Sequence, residues 1–139
     1  FSRGPATFVQ DAAVCALESN QDDVSRMIAE YQARRDLVVR SLQGIRGVRP
    51  LVPDGGLFVM VDLRETLASC SQHQLTSHDV RRYLLEKHGV VVIHGSAYGV
   101  AGEGFLRVSF AAGGPVLEQG LSRLRAGLCE LAEGKLQVG

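Results

Sequence analysis

The chain reads as a small α/β domain, a two-layer α+β-like sandwich. A small mixed, largely antiparallel sheet is expected, with helices packed on one face. Three observations predict it. Apolar residues recur at three- and four-residue steps near both ends of the chain. Between those ends lie short apolar or β-branched segments separated by turns rich in glycine and proline. No repeat and no linker-like stretch interrupts the 139 residues, so residues 1–139 are read as a single domain.

Pro5 to about Leu42 is helical, in two pieces. Ala12, Ala13 and Ala16 favour helix intrinsically, and Val24, Met27, Ile28, Tyr31, Val38, Leu42 and Ile45 form one helical face. Ser19-Asn20-Gln21-Asp22 breaks that stripe and offers caps, which predicts one helix to about Ser19 and a longer one from about Asp22 to Gly44. Val48–Val52 is a strand candidate. The turn Pro53-Asp54-Gly55-Gly56 follows, and then a second strand over Leu57–Leu63, with Leu57, Val59, Val61 and Leu63 on one face. Both faces of that strand are mostly apolar, so it is expected inside the sheet.

The polar stretch Glu65–Ser77 reads as loop. Thr76 or Ser77 caps a helix running to His88, with Asp79 in its first turn and Gly89 as its stop. Val90–Ile93 reads as a strand, His94–Gly104 as a glycine-rich loop, and Phe105–Phe110 as the last strand. Gly113-Gly114-Pro115 opens the final helix, and Leu117, Leu121, Leu124, Leu128 and Leu131 form its apolar stripe.

Composition excludes several classes. Hydrophobic residues are 45% and charged residues 22%, the balance of a globular chain rather than a disordered one. No apolar run is long enough to span a bilayer as a helix, so no membrane partner is expected. Fifteen basic residues balance fifteen acidic ones, which argues against a nucleic-acid partner. Three scattered cysteines, Cys15, Cys70 and Cys129, form no disulfide frame or zinc pattern; reduced thiols in a cytoplasmic protein are the expectation. The chain starts at Phe1 with no leader-like segment, which reads as an internal piece of a longer protein, with a processed N-terminus as the alternative.

The last strand carries the most informative side chain. Alternation puts Leu106, Val108 and Phe110 on one face and Phe105, Arg107 and Ser109 on the other. A planar guanidinium in mid-strand suits a carboxylate held by two parallel hydrogen bonds. The plainer alternative is an arginine on a solvated sheet face, paired with a neighbouring acid. The preceding loop, Gly95-Ser96-Ala97-Tyr98-Gly99 to Gly102-Glu103-Gly104, is not a dinucleotide cradle, because its glycine spacing differs and no helix follows it directly.

Two stretches of this region resemble the C-terminal signature of the class I and II, fold-type I aminotransferases. They are Gly89-Val90-Val91-Val92-Ile93-His94-Gly95-Ser96-Ala97-Tyr98-Gly99 and Gly104-Phe105-Leu106-Arg107-Val108-Ser109-Phe110-Ala111. Pro53-Asp54-Gly55-Gly56-Leu57-Phe58 is similar to an earlier family stretch, and Ala6-Thr7-Phe8-Val9-Gln10-Asp11-Ala12-Ala13 to the segment entering the small domain. The matches follow family order over nearly the whole chain.

The resemblance implies the C-terminal small domain of a pyridoxal-phosphate-dependent aminotransferase. Arg107 falls where the family grips the substrate α-carboxylate, Tyr98 at the aromatic position of the loop before it, and Gly55 and Gly56 where the small domain borders the substrate pocket. Ser2, Arg3 and Thr7 are candidates, by position, for reaching a neighbouring subunit. The substrates implied are an amino acid and a 2-oxo acid, and the parent is expected to be a homodimer. His94 stands where the family commonly has proline, either as a substrate contact or as plain loop decoration.

Only two lysines occur, Lys87 at a helix end and Lys135 in the polar tail, both in surface-charge contexts. The chain alone is therefore expected to hold no pyridoxal 5'-phosphate and to catalyse nothing. The cofactor lysine is expected upstream in the parent. Alternatives keep the fold in a C–S lyase or in the ligand-sensing domain of a transcription regulator, or make the chain a stand-alone module that binds small acids.

Overall fold

The computed structural model describes residues 4–70 and 75–135. They form five α-helices and four strands: α1 (Thr7–Glu18), α2 (Asp22–Leu42), β1 (Arg49–Leu51), β2 (Phe58–Asp62), α3 (Arg64–Ser69), α4 (Ser77–His88), β3 (Ile93–His94), β4 (Phe105–Ser109) and α5 (Gly114–Ala132). The chain divides into two compact units, residues 1–30 and 31–139, with the boundary inside α2.

In the first unit, α1 buries no residue. Phe8, Leu17, Met27 and Ile28 are all exposed. The first turn of α2 carries Asp22 and Asp23, where acids complement the helix dipole.

In the second unit the sheet order is β1-β2-β4-β3, and every pairing is antiparallel. The register sets Met60 opposite Arg107 and Ile93 opposite the same arginine. Val59, Val61, Leu106 and Val108 face a core shared with Val38 and Leu42 of α2, Val80 and Leu84 of α4, and the leucine stripe of α5. Leu121, Leu124, Leu128 and Leu131 are almost wholly removed from water. Truncating one such residue, as in Leu128→Ala, is expected to cost about 3 kcal/mol from lost transfer energy and the cavity left behind.

The opposite face of the sheet carries Phe58, Met60, Phe105 and Arg107, with Phe58 exposed and the other three half-buried. Thus β2 is interior, as its apolar character predicts; Val59 and Val61 are buried on one face, while on the other Phe58 is exposed, Met60 half-buried and Asp62 buried.

Local chemistry explains the helix ends. The Thr76 side chain accepts from the Asp79 backbone N–H while the Asp79 carboxylate accepts from the Thr76 backbone N–H, a reciprocal cap for α4. Gly89 closes that helix in the left-handed conformation. At the far ends of α4 and α5, the Tyr83 hydroxyl donates to the Glu130 carboxylate, and His88 Nε2 lies 3.3 Å from a Glu130 oxygen. Burial and the bond to that anion push the Tyr83 hydroxyl up to about 12.

Three expectations require correction. The stretch read as loop from Glu65 begins with α3, a helix of 6 residues without a side-chain cap. Its support is tertiary, from a buried Thr66 whose hydroxyl donates to the Arg46 carbonyl at 3.3 Å, so no amphipathic pattern announces it. Residues 71–74 of the same stretch lie outside the described residues. The β-branched run Val90–Ile93 pairs with β4 only at its end, through Ile93 and His94, because the Val90 N–H is drawn back to the Leu84 carbonyl at 3.0 Å. The glycine loop is not irregular throughout: Gly95–Tyr98 and Val100–Gly102 form short 3-10 turns. Among the described residues no helix is long and apolar enough to cross a membrane. Cys15, Cys70 and Cys129 carry free thiols.

Candidate functional site

The open face of the sheet holds two arginine environments. At one end, buried Asp62 accepts from Arg49 at 2.8 Å and from Arg64 at 2.9 and 2.8 Å through two nitrogens. It also accepts the Arg64 backbone N–H at 3.1 Å. The Arg64 hydrogen bonds, against the opposing effect of burial and with help from Arg49, hold the Asp62 carboxyl far below the usual carboxylate range. Arg64 also lies 4.8 Å from the Phe105 ring centre. Every acceptor direction of this carboxylate is occupied from within the chain.

Arg107 sits one alternation further along β4, half-buried, in a different setting. Its guanidinium carbon is 4.1 Å from the Phe58 ring centre and 4.8 Å from that of Tyr98. Among the described residues no carboxylate, carbonyl or hydroxyl accepts a hydrogen bond from it. Aromatic faces stabilise a guanidinium by cation–π attraction without consuming its N–H donors. The planar fork therefore keeps its hydrogen-bonding capacity, the property needed to take a carboxylate in two parallel bonds. The alternative of an arginine neutralised by a neighbouring acid describes Arg49 and Arg64, not Arg107.

Tyr98 reaches Arg107 from the loop between β3 and β4. That ring is 58% exposed, and among the described residues its one ring or hydrogen-bond interaction is with the guanidinium, so its place depends on how the loop is held. Two features hold it. Gly95 and Gly102 approach so closely that a β-carbon on either would overlap the other's carbonyl oxygen. Glu103 accepts from the Ser77 backbone N–H at 2.7 Å and from the Ser77 hydroxyl at 3.1 Å, tying the loop's far end to the start of α4. Burial raises the Glu103 carboxyl, but the bonds from Ser77, with Ser96 and the Gly104 N–H, outweigh it and leave the group below its ordinary value.

Gly56, with φ +81°, sits in the turn leading into β2, two residues before Phe58, and no contact joins it to Arg107. His94 falls opposite Leu106, so its side chain lies on the helix side of the sheet. There its Nδ1 is 2.8 Å from the Ser96 hydroxyl and its ring meets His78 of α4 edge-on at 5.1 Å. It does not share a face with Arg107. Thr7 opens α1, and Ser2 and Arg3 lie outside the described residues.

Phe58 is the site residue that sequence reasoning missed. The available signal is its alternation with Met60, the residue opposite Arg107, which puts Phe58 on the same face one step away.

Pyridoxal phosphate requires a lysine that can form a Schiff base beside the substrate. Lys87 is an exposed residue in the last turn of α4, and the Lys135 ammonium pairs with Glu133 at 2.5 Å beyond α5. Neither lies on the Arg107 face, so the described residues do not fit that cofactor.

Residues 2–122 match the family described as aminotransferase class I and II. An arginine–pyruvate transaminase of Pseudomonas aeruginosa is 38% identical over 128 residues, 92% of this chain and 31% of the relative. An aspartate aminotransferase of Pyrococcus horikoshii is 34% identical over 88% of this chain and 30% of its own length. The crystal structure of an aromatic aminotransferase from Pyrococcus horikoshii superposes with a TM-score of 0.77 at 34% identity, covering 91% of this chain and 32% of that one. The chain thus spans about three tenths of the length of the relatives it matches. With the match reaching from residue 2 to residue 122, the chain belongs to the class I and II aminotransferase family.

Proposed function

We propose that this chain is the C-terminal small domain of a pyridoxal-phosphate-dependent aminotransferase, and that Arg107 binds the α-carboxylate of its amino-acid and 2-oxo-acid substrates. The observation that carries the reading is a half-buried guanidinium flanked by Phe58 and Tyr98 and facing no acid of its own. A substrate carboxylate would complete that environment with two charge-assisted hydrogen bonds, and the rings would exclude water beside them. Fixing the carboxylate at one point orients the reacting carbon, so the contribution of Arg107 is positional. Gly56, in the neighbouring turn, would border the same pocket.

The cofactor, when bound to the parent, supplies the electron sink and its lysine the proton transfer. Both are assigned to the part of the parent outside residues 1–139, so this chain by itself is expected to be inactive. The parent is proposed to be a homodimer, with Ser2, Arg3 and Thr7 at the subunit boundary.

The test is a transamination assay of the full-length protein with L-arginine, L-aspartate and L-phenylalanine as donors, chosen from the relatives' names, and pyruvate as acceptor. Formation of a 2-oxo acid with alanine is the expected result. Arg107→Ala is expected to raise the apparent KM for donor and acceptor alike, and unchanged constants would remove the carboxylate role.

A further inference from the structure

We propose that Glu103, through Ser77, is a positioning residue for carboxylate binding: it holds the 95–104 loop so that Tyr98 lies against the Arg107 guanidinium. The inference rests on the carboxylate reading of Arg107 and adds the residue that fixes its aromatic neighbour.

The argument starts from Tyr98. Its ring is more than half exposed, and no hydrogen bond among the described residues restrains its hydroxyl. A largely exposed ring without a hydrogen bond keeps its place only if its backbone is held. The backbone is held at one end of the loop, where Gly95 and Gly102 touch and Ser96, bonded to His94, comes within 3.5 Å of the Ser77 hydroxyl. It is held at the other end by Glu103.

Ser77 is fully buried, at the first turn of a helix of 12 residues, and both its backbone N–H and its hydroxyl go to the one carboxylate. A helix start offers orphan N–H groups and a partial positive charge, so an acid docked there is held more firmly than an acid at an exposed pair. From Glu103 the chain runs through Gly104, whose carbonyl accepts from the Leu63 N–H at 2.8 Å, straight into β4 and Arg107. One carboxylate thus fixes the loop bearing the ring and the entry to the strand bearing the guanidinium.

The test uses the full-length protein, pyruvate as acceptor and the fastest donor of the panel above. Glu103→Ala is expected to raise KM about tenfold with kcat within about twofold, since the interaction lost serves binding in ground and transition state alike. Glu103→Gln keeps an acceptor for the Ser77 N–H and is expected to return KM to within about threefold of the parent value. In the Arg107→Ala background, Glu103→Ala should add less than about twofold, because its effect is exerted through that arginine.

A purely structural role would lower thermal stability without this KM-against-kcat split and without the non-additivity. An unchanged KM in Glu103→Ala beside a raised KM in Arg107→Ala overturns the positioning role and leaves the carboxylate reading standing. An unchanged KM in Arg107→Ala overturns the carboxylate reading itself, and full additivity of the two substitutions overturns the coupling. Should Glu103→Ala not fold, Ser77→Ala removes the hydroxyl's bond to Glu103 and its contact with Ser96 while keeping the backbone bond; a rise in KM of about threefold supports the proposal and no change overturns it.

Discussion

The two ends of the open sheet face differ in one respect that decides their roles. Arg49 and Arg64 converge on Asp62, and that carboxylate is buried and saturated. Arg107 lies on the same face, against two aromatic rings and, among the described residues, no acid. The first arrangement spends its charges on holding β1, β2 and the start of α3 together. The second keeps a cation ready for a ligand. An arginine count, or even a list of exposed arginines, does not separate the two; the deciding observation is whether an acid already occupies the fork.

The largest effect that would break this comparison is at Arg107. Arg107→Ala in the full-length enzyme is expected to raise KM for both substrates about 100-fold, the scale of a two-point charge-assisted contact. Arg107→Lys should recover only part of it, because a point charge cannot match the planar fork.

Asp62 should behave oppositely. Asp62→Ala is expected to cost about 2 kcal/mol of stability, read from the urea midpoint, with KM changed less than about twofold. Loss of substrate affinity without loss of stability there would erase the distinction between the two ends.

The pH dependence sharpens the same point. The folded-state carboxyl of Asp62 is depressed below its ordinary value of 3.8. Its contribution is therefore complete above that value and is lost as pH falls below about 4 toward the folded-state value. Asp62→Asn should start less stable at neutral pH and show a flatter decline below about pH 4 in acid unfolding.

The smallest effects belong to the rings. Tyr98→Leu and Phe58→Leu keep apolar bulk but remove the π face, and each is expected to raise KM about tenfold. Equal or larger effects from Phe105→Leu, beside Arg64, would show that stacking at the two ends serves one purpose.

Much of the fold was legible because it rests on local signals. The α5 stripe, the cap at Thr76 and the break at Ser19–Gln21 each involve residues within a turn or two of one another. What escaped depends on distant partners. The helix α3 exists because Thr66 reaches Arg46, and the extended run at Val90–Val92 fails to join the sheet because its start is tied to the preceding helix. The site divides the same way. Arg107 and Tyr98 could be named from alternation and from the glycine loop, whereas Phe58 and the Ser77–Glu103 pair, 26 residues apart, required the register and the fold. His94, the one departure from the resemblance, lies on the helix side of the sheet, where a bond to Ser96 accounts for it.

The contact between Gly95 and Gly102 has a further consequence. It pinches the loop at its neck, so beyond Tyr98 the tip at Val100 and Ala101 is a small appendage whose side chains can change without shifting either end. Val100, 95% exposed at that tip, is free to vary in the same way. Divergence among homologues should therefore gather at the tip, while the two neck glycines resist replacement because any β-carbon there would force the neck open. A laboratory library confined to residues 100 and 101 should yield folded variants at high frequency, and one at the neck should not.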